Sequence, residues 1–267
     1  MKSIWVAGDF FYDEFNIGRY RGEGPRFLID ETVTRPGGAA NTLANARAIC
    51  RNSAIKCQAT GYSQPKVLRR WIQDDKTIFE YWDYQGGVTD PWEILNKKDP
   101  SFHGAREFNT LVVSEYNKGF SKCDVTNAAV FDLLVVDSRY KTAPIKELKH
   151  LTQTSIWRCT GTEYNERWAE HFDWVVHTNH AERITVFQPN EQDTIGNLSA
   201  QIDVPELDIV DPVGAGDTFT AALAAHLTNA GVVEFETLVN ATRFAVAAAQ
   251  NACAKKFTAK TDVRLEK

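Results

Sequence analysis

The chain has 267 residues, 43% hydrophobic and 24% charged, the mix of an ordinary soluble globular protein rather than a disordered or fibrous one. A net charge of −5 argues against a large nucleic-acid footprint. No uncharged apolar run approaches the ~18 residues of a membrane span, and the N-terminus reaches an acid too soon for a secretory signal, so neither a membrane nor an export route is expected.

Residues 4–7 (Ile-Trp-Val-Ala) are β-branched and aromatic and stop at Gly8-Asp9, which predicts a buried strand ending in polar residues. Residues 16–35 are polar and carry Gly18, Gly22, Gly24 and Pro25, which reads as loop and short strands outside the core. Then comes Arg35-Pro36-Gly37-Gly38-Ala39-Ala40-Asn41. After its glycines, Ala39, Leu43, Ala46 and Cys50 recur at helical spacing, so a helix should start there. Residues 67–73 and 77–84 flank Asp74-Asp75-Lys76 and predict a hairpin. Trp71, Phe79, Tyr81, Trp82 and Tyr84 load it with aromatic surface, suiting either a hairpin packed on the core or a flap over a ligand or partner subunit.

From residue 108 short apolar runs alternate with polar stretches. The runs at 111–113, 133–136, 156–157 and 174–176 end at Ser114-Glu115, Asp137-Ser138, near Thr160 and at His177-Thr178. Residues 141–151 and 163–171 can form helices between them, and residues 184–187 should return antiparallel to 174–176. This pattern predicts a mostly parallel sheet whose ligands lie beyond the carboxyl ends of its strands. No internal repeat or low-complexity linker divides the chain, so one domain over 1–267 is expected. Cys50, Cys57, Cys123, Cys159 and Cys253 form no C-x-x-C pair and read as free thiols in a reducing compartment.

The stretch Asp211-Pro212-Val213-Gly214-Ala215-Gly216-Asp217-Thr218-Phe219 carries the chemistry. Phe219, Leu223, His226, Leu227 and Ala230 continue as a helical stripe that Gly231 closes. Backbone N–H groups at a helix N-terminus, aided by its dipole, suit a phosphate in transit. The plainer alternative is Asp217 as an acidic N-cap on a glycine turn. A dinucleotide fingerprint would need a glycine where Phe219 stands, and a P-loop would need Gly-Lys-Ser/Thr, which the chain lacks. An unperturbed Asp217, with a pKa of ~4, would be ionised at neutral pH.

The stretch 211–219 resembles the C-terminal signature of the ribokinase-like (PfkB) carbohydrate kinases. Gly8-Asp9 with Asp13, followed by residues 35–41, resembles their N-terminal signature. The Arg-Pro-Gly-Gly-Ala-Ala-Asn form, with Ser114-Glu115-Tyr116-Asn117-Lys118-Gly119, is most similar to the heptose 7-phosphate kinases. The resemblance implies a three-layer αβα sandwich with a small β lid drawn from about 14–35 and 64–88. It implies a cytoplasmic ATP-dependent kinase with Mg²⁺, acting on a sugar such as a heptose 7-phosphate; separately, the aromatic load of the hairpin, too great for a lone exposed one, suits a homodimer contact through the lid. Asp217 matches the base, and Gly214, Ala215 and Gly216 match the anion hole. Asp13, Gly37, Gly38 and Asn41 match sugar contacts. Glu163 matches the acid of an Asn-x-x-Glu motif that serves Mg²⁺ and phosphate, with Thr160 in place of the Asn. Thr178 matches the segment lining the nucleotide, where Glu182 replaces a usual glycine, and Asn251 matches the closure of the adenine pocket. Lys118, Arg139 and Lys141 follow strand ends and could pair with a substrate phosphate, or be ordinary solvated charges. Thr160 and Glu182 keep open a non-catalytic sugar- or nucleotide-binding protein on the same fold, and the fold also serves ribose- and nucleoside-type kinases.

Overall fold

The computed structural model describes residues 2–21, 26–62, 66–84, 108–117, 120, 131–138, 141, 148–150, 152–179, 182–189, 198–257 and 260–266. Its strands are β1 (Ser3–Gly8), β2 (Phe10–Tyr20), β3 (Phe27–Gly37), β4 (Lys56–Tyr62), β5 (Lys66–Gln73), β6 (Lys76–Tyr84), β7 (Asn109–Glu115), β8 (Phe131–Ser138), β9 (Thr152–Thr160), β10 (Trp174–Asn179), β11 (Arg183–Phe187) and β12 (Ser199–Asp203). Its helices are α1 (Gly38–Ile49), α2 (Glu166–Ala169), α3 (Ala215–Ala230) and α4 (Phe235–Cys253).

Eight strands form the main sheet in the order β12-β11-β10-β9-β8-β7-β1-β4. Pairing is parallel from β4 through β10, and antiparallel for β10–β11 and β11–β12. The middle strands are apolar on both faces, as a parallel sheet covered on two sides requires. Ile4, Val6, Val112, Leu133 and Val135 pack with α1, α3 and α4 on one face. Trp5, Leu111, Leu134, Val136 and Trp157 pack with Phe120, Leu148 and Phe172 on the other. No helix among the described residues is long and apolar enough to cross a membrane.

A second sheet has the order β3-β2-β5-β6. The β5–β6 hairpin turns at Asp74 and Asp75, both with positive φ (51° and 58°), as a two-residue hairpin of this twist needs. The expectation of loop and short strands over 16–35 is corrected: β2 and β3 are eleven residues each. Their polarity arises because much of this sheet faces solvent. Among the described residues Phe15, Val33 and Ile72 make a small core, with Ile17, Val213 and Phe257 against it. The other face exposes Phe79 and Tyr81, with the half-buried Trp71 stacked on Tyr81 at a centroid distance of 5.4 Å and beside Phe79. The helix expected within 163–171 is only the single turn α2, and most of 141–151, with Cys123, Lys118 and Arg139, lies outside the described residues.

Gly8 joins the two sheets at a backbone that other residues rarely adopt. Its φ is 140°, and a Cβ there would lie 1.9 Å from the Ser114 carbonyl oxygen. The next residue, Asp9, is fully buried, and its carboxylate accepts from the Tyr116 and Phe120 amides at 2.8 and 3.1 Å. Its carbonyl accepts from Ala39 N at 3.1 Å, tying the start of α1 to β1. Gly8→Ala should therefore cost at least ~3 kcal/mol through backbone strain and a clash with the neighbouring strand. Urea unfolding should show a clearly lower midpoint; an unchanged midpoint would contradict this account of the junction.

Candidate active site

A cavity of about 1050 Å³ opens at the carboxyl ends of β7–β10, beneath the second sheet. Its walls include Asp13 and Arg70 from the second sheet, Tyr116 just after β7, Asp137 near the end of β8, and Thr160, Glu163 and Thr178 near the ends of β9 and β10. Gly38, Gly214, Ala215, Gly216 and Asp217 line the same space.

Gly214 is the N-cap of α3 with φ 82°, a left-handed turn that suits glycine. Asp211 braces the approach, accepting from Val213 N at 2.9 Å and Phe257 N at 2.8 Å. The helix starts at Ala215, so Asp217 is the third helical residue and not the cap. The Ala215 amide is already spent on the Pro212 carbonyl at 3.2 Å, which corrects its place in the expected anion hole. The Gly216 and Asp217 amides belong to the first turn, where an α-helix supplies no partner of its own.

Asp217 is 3% exposed. Its Oδ2 accepts from Asn41 Nδ2 at 3.0 Å, and its Oδ1 from Tyr116 Oη at 2.8 Å and Thr42 Oγ1 at 3.4 Å. Burial, reinforced by the nearby Asp137 carboxylate, pushes its pKa up to about 7, while the bonds from Asn41 and Tyr116 pull the other way. The expectation of an ordinary value near 4 is thereby corrected: full desolvation outweighs the helix N-terminus. Asn41 departs from its expected part as well. It is fully buried, its Nδ2 serves Asp217, and its Oδ1 accepts from Asn45 Nδ2 at 3.0 Å. Its amide therefore faces the carboxylate and α1, not the cavity.

Asp13 does reach the cavity. It pairs with Arg70, which also contacts Glu80 at 3.2 Å and lies over the Phe15 ring. Burial raises Asp13 to about 6 even though Arg70 opposes the shift. Gly38 lines the cavity, whereas Gly37 packs under Phe11 and Asp13, where a Cβ would come within 2.6 Å of Asp13 Oδ2.

Thr160 and Glu163 form a reciprocal capping box around one 3₁₀ turn: the Thr160 side chain accepts from the Glu163 amide, and Glu163 Oε2 accepts from Thr160 N at 2.9 Å. Thr178 Oγ1 meets Thr160 Oγ1 at 3.0 Å. Glu182 lies beyond β10 and accepts from Asn179 Nδ2 at 3.3 Å. Asn251 is not brought to the cavity. Its Oδ1 accepts from Asp262 N, Lys255 Nζ and Thr261 Oγ1, fastening the C-terminal segment to α4. Its neighbours Val246, Ala249, Gln250 and Cys253 line the cavity instead, because they occupy the opposite face of α4. Lys141 is half-buried and outside the cavity lining; its amide donates to Ser138 Oγ at 3.0 Å.

Sequence reasoning missed Tyr116 as a partner of Asp217, and missed Asp137 and Arg158. Arg158 interrupts the apolar run of β9, and its guanidinium reaches Asp137 at 3.3 Å. A lone arginine following the apolar Ile156-Trp157 pair was the available signal for Arg158.

Residues 135–263 match the model of the pfkB family carbohydrate kinases. The fold is similar to that of a nucleoside kinase from Methanocaldococcus jannaschii, an archaeal member of the ribokinase family, at 14% identity and a TM-score of 0.64, covering 99% of this chain and 95% of that one. It is similar to a ribokinase from Thermotoga maritima at 14% identity and a TM-score of 0.63, covering 98% and 97%. It is also similar to an aminoimidazole riboside kinase from Salmonella enterica, complexed with aminoimidazole riboside and an ATP analogue, at 15% identity and a TM-score of 0.59, covering 95% and 94%. No curated protein matches the chain by sequence.

The two raised carboxylates make a direct test. Carboxyl-carbon NMR titration should give midpoints near 7 for Asp217 and near 6 for Asp13. Tyr116→Phe removes a bond to the ionised form and should raise the Asp217 midpoint further. Midpoints near the ordinary ~4 for both would contradict the burial described here.

Proposed function

We propose that this phosphotransferase, indicated as such by its carbohydrate-kinase family match and ribokinase-like fold, is an ATP-dependent kinase of a small sugar or nucleoside. The observation that carries the reading is one buried carboxylate, Asp217, three residues beyond the N-cap glycine of α3 and inside the large cavity. Phosphoryl transfer asks a protein mainly for positioning and charge stabilisation. Asp217 accepts the proton of the acceptor hydroxyl as its oxygen bonds to the γ-phosphorus; the bond from that phosphorus to the β–γ bridging oxygen breaks, and ADP leaves. The Gly216 and Asp217 amides receive the passing phosphoryl oxygens.

Asp13, held by Arg70, is the acceptor for sugar hydroxyls, and Asn41 positions Asp217 rather than touching sugar. The wall from Ile184 and Val204 to Val246 and Ala249 is apolar enough for a nucleoside base. Glu163 offers a single carboxylate toward that cavity, and among the described residues no cluster of three acidic, His or Cys side chains could hold a cation alone. That donor set fits Mg²⁺ in the mode where nucleotide phosphates and water supply most ligands. Bound there, Mg²⁺ would neutralise phosphate charge. A heptose 7-phosphate is the finer proposal for the acceptor, supported by the Arg-Pro-Gly-Gly-Ala-Ala-Asn form of residues 35–41. The exposed Phe79 and Tyr81 rings, packed on the half-buried Trp71, suit a homodimer contact through the second sheet.

Coupled-assay turnover over a panel of sugars, sugar phosphates and nucleosides tests the reading. Asp217→Asn should lower kcat by ~10²–10⁴ while leaving ATP and sugar binding largely intact. A base must be deprotonated, so wild-type kcat/KM should rise with pH through about 7 and then level off. A variant at wild-type turnover, or a wild type that turns over none of the panel, would favour the non-catalytic binding protein.

A further inference from the structure

We propose that Arg158 is a catalytic residue that contacts the phosphoryl group in transit, an inference that rests on the kinase reading of the same cavity. The side chain is 12% exposed and lines the cavity with Gly216, Asp217, Thr160 and Glu163. Its position is set by Asp137, by the Phe219 ring 5.7 Å below the guanidinium carbon, and by Thr178.

Those contacts hold the guanidinium without satisfying it. Nη1 reaches both Asp137 oxygens at 3.3 and 3.4 Å, and Nη2 reaches Thr178 Oγ1 at 3.4 Å, all longer than the usual range of about 2.7–3.2 Å. Nε is buried with no hydrogen-bond partner. The pair with Asp137 is not the two-pronged fork that an arginine held for structure alone normally makes. Asp137 in turn divides its charge, accepting from Thr220 Oγ1 at 2.9 Å. Thr178 Oγ1 has its own bonds to Thr160 and the Cys159 carbonyl.

The guanidinium lies against the anion-binding turn. A Cβ on Gly216 would fall 3.0 Å from Nη1 and 3.3 Å from Nη2, so the missing side chain is what lets the cation approach the first turn of α3. Burial works against the charge, but the carboxylates and hydroxyls around it, Asp137 foremost, more than compensate and keep Arg158 protonated. A fixed cation beside two helix amides, with unspent N–H groups, is the arrangement that recognises phosphoryl oxygens. It supplies charge from the protein at a site where Glu163 supplies the carboxylate for a metal. Arg158 can therefore stabilise charge on the transferring group while the two amides fix its orientation.

Inorganic tripolyphosphate isolates this claim from the identity of the sugar. Calorimetric binding should be at least ~10-fold weaker in Arg158→Met than in wild type, the loss expected for charge-assisted bonds, with Arg158→Lys between them. Because Arg158→Met leaves Asp137 buried and unpaired, the double variant Arg158→Met/Asp137→Asn removes both charges, and it should fold and still bind weakly. Turnover on the preferred acceptor should fall by ~10²–10³ in kcat with sugar KM nearly unchanged. Tripolyphosphate affinity within about twofold of wild type in the folded double variant, or no binding by wild type, would overturn the proposal. Loss of the kinase reading would show separately, as a wild type that binds tripolyphosphate through Arg158 yet phosphorylates no acceptor.

Discussion

Burial of the Asp217 carboxylate is the constraint around which the rest of the site is arranged. A carboxylate taken out of water needs hydrogen-bond donors from its surroundings. Here three donors come from two separate parts of the fold: Asn41 and Thr42 of α1, and Tyr116 beyond β7. Asn41 is oriented by Asn45, whose own Oδ1 accepts from the Thr261 amide at 3.0 Å. The C-terminal segment is thus linked through α1 to the carboxylate. On the other side Asp9 fastens the segment carrying Tyr116 to β1. These groups cannot shift independently, which is why a small set of buried polar side chains fixes the relation between α1, α3 and the edge of the main sheet.

The same arrangement keeps Asp13, Asp137, Glu163 and Asp217 in one cavity without mutual collapse. Asp137 is paired with Arg158, Asp13 with Arg70, and Glu163 is tied back to the Thr160 amide. Asp217 is held by the neutral donors Asn41, Thr42 and Tyr116, and burial together with Asp137 leaves it poised near neutrality. Its folded-state pKa lies above the unfolded value. The burial cost is therefore absent below pH ~4 and fully present above about 7, so stability from this group falls as pH rises across that window. The window is also where the carboxylate gains the charge that a base requires, so function and stability oppose one another at this residue.

The inner strands of the main sheet were legible because strands covered on both faces are short apolar runs, as at 133–136 and 174–176. The hairpin of β5 and β6 was legible from its turn residues. β2 and β3 were not, since a mostly solvent-facing sheet mixes polar and apolar residues in the manner of a loop. The glycine turn, Asp217, Asp13 and the Thr160–Glu163 pair could be located from motif form. The pairing of Asn41 with Asp217 could not, because it spans 176 residues and depends on how two helices cross. Asn251 was assigned to the cavity by its place in the chain, yet one step along a helix rotates a side chain by about 100°, and the cavity took Gln250 instead. The raised pKa of Asp217 was invisible for the same reason: it comes from burial, which only the packed structure supplies.

The central claim is that the cavity moves a phosphoryl group from ATP to a carbohydrate hydroxyl, with Asp217 taking the proton. ³¹P NMR of the wild-type protein with ATP, Mg²⁺ and each candidate acceptor reads that event without a coupling enzyme. The account predicts loss of the γ-phosphate resonance with matching growth of ADP and of a phosphomonoester signal that appears only when the acceptor is present. An unchanged ATP spectrum across the acceptors, or release of inorganic phosphate alone, would contradict it.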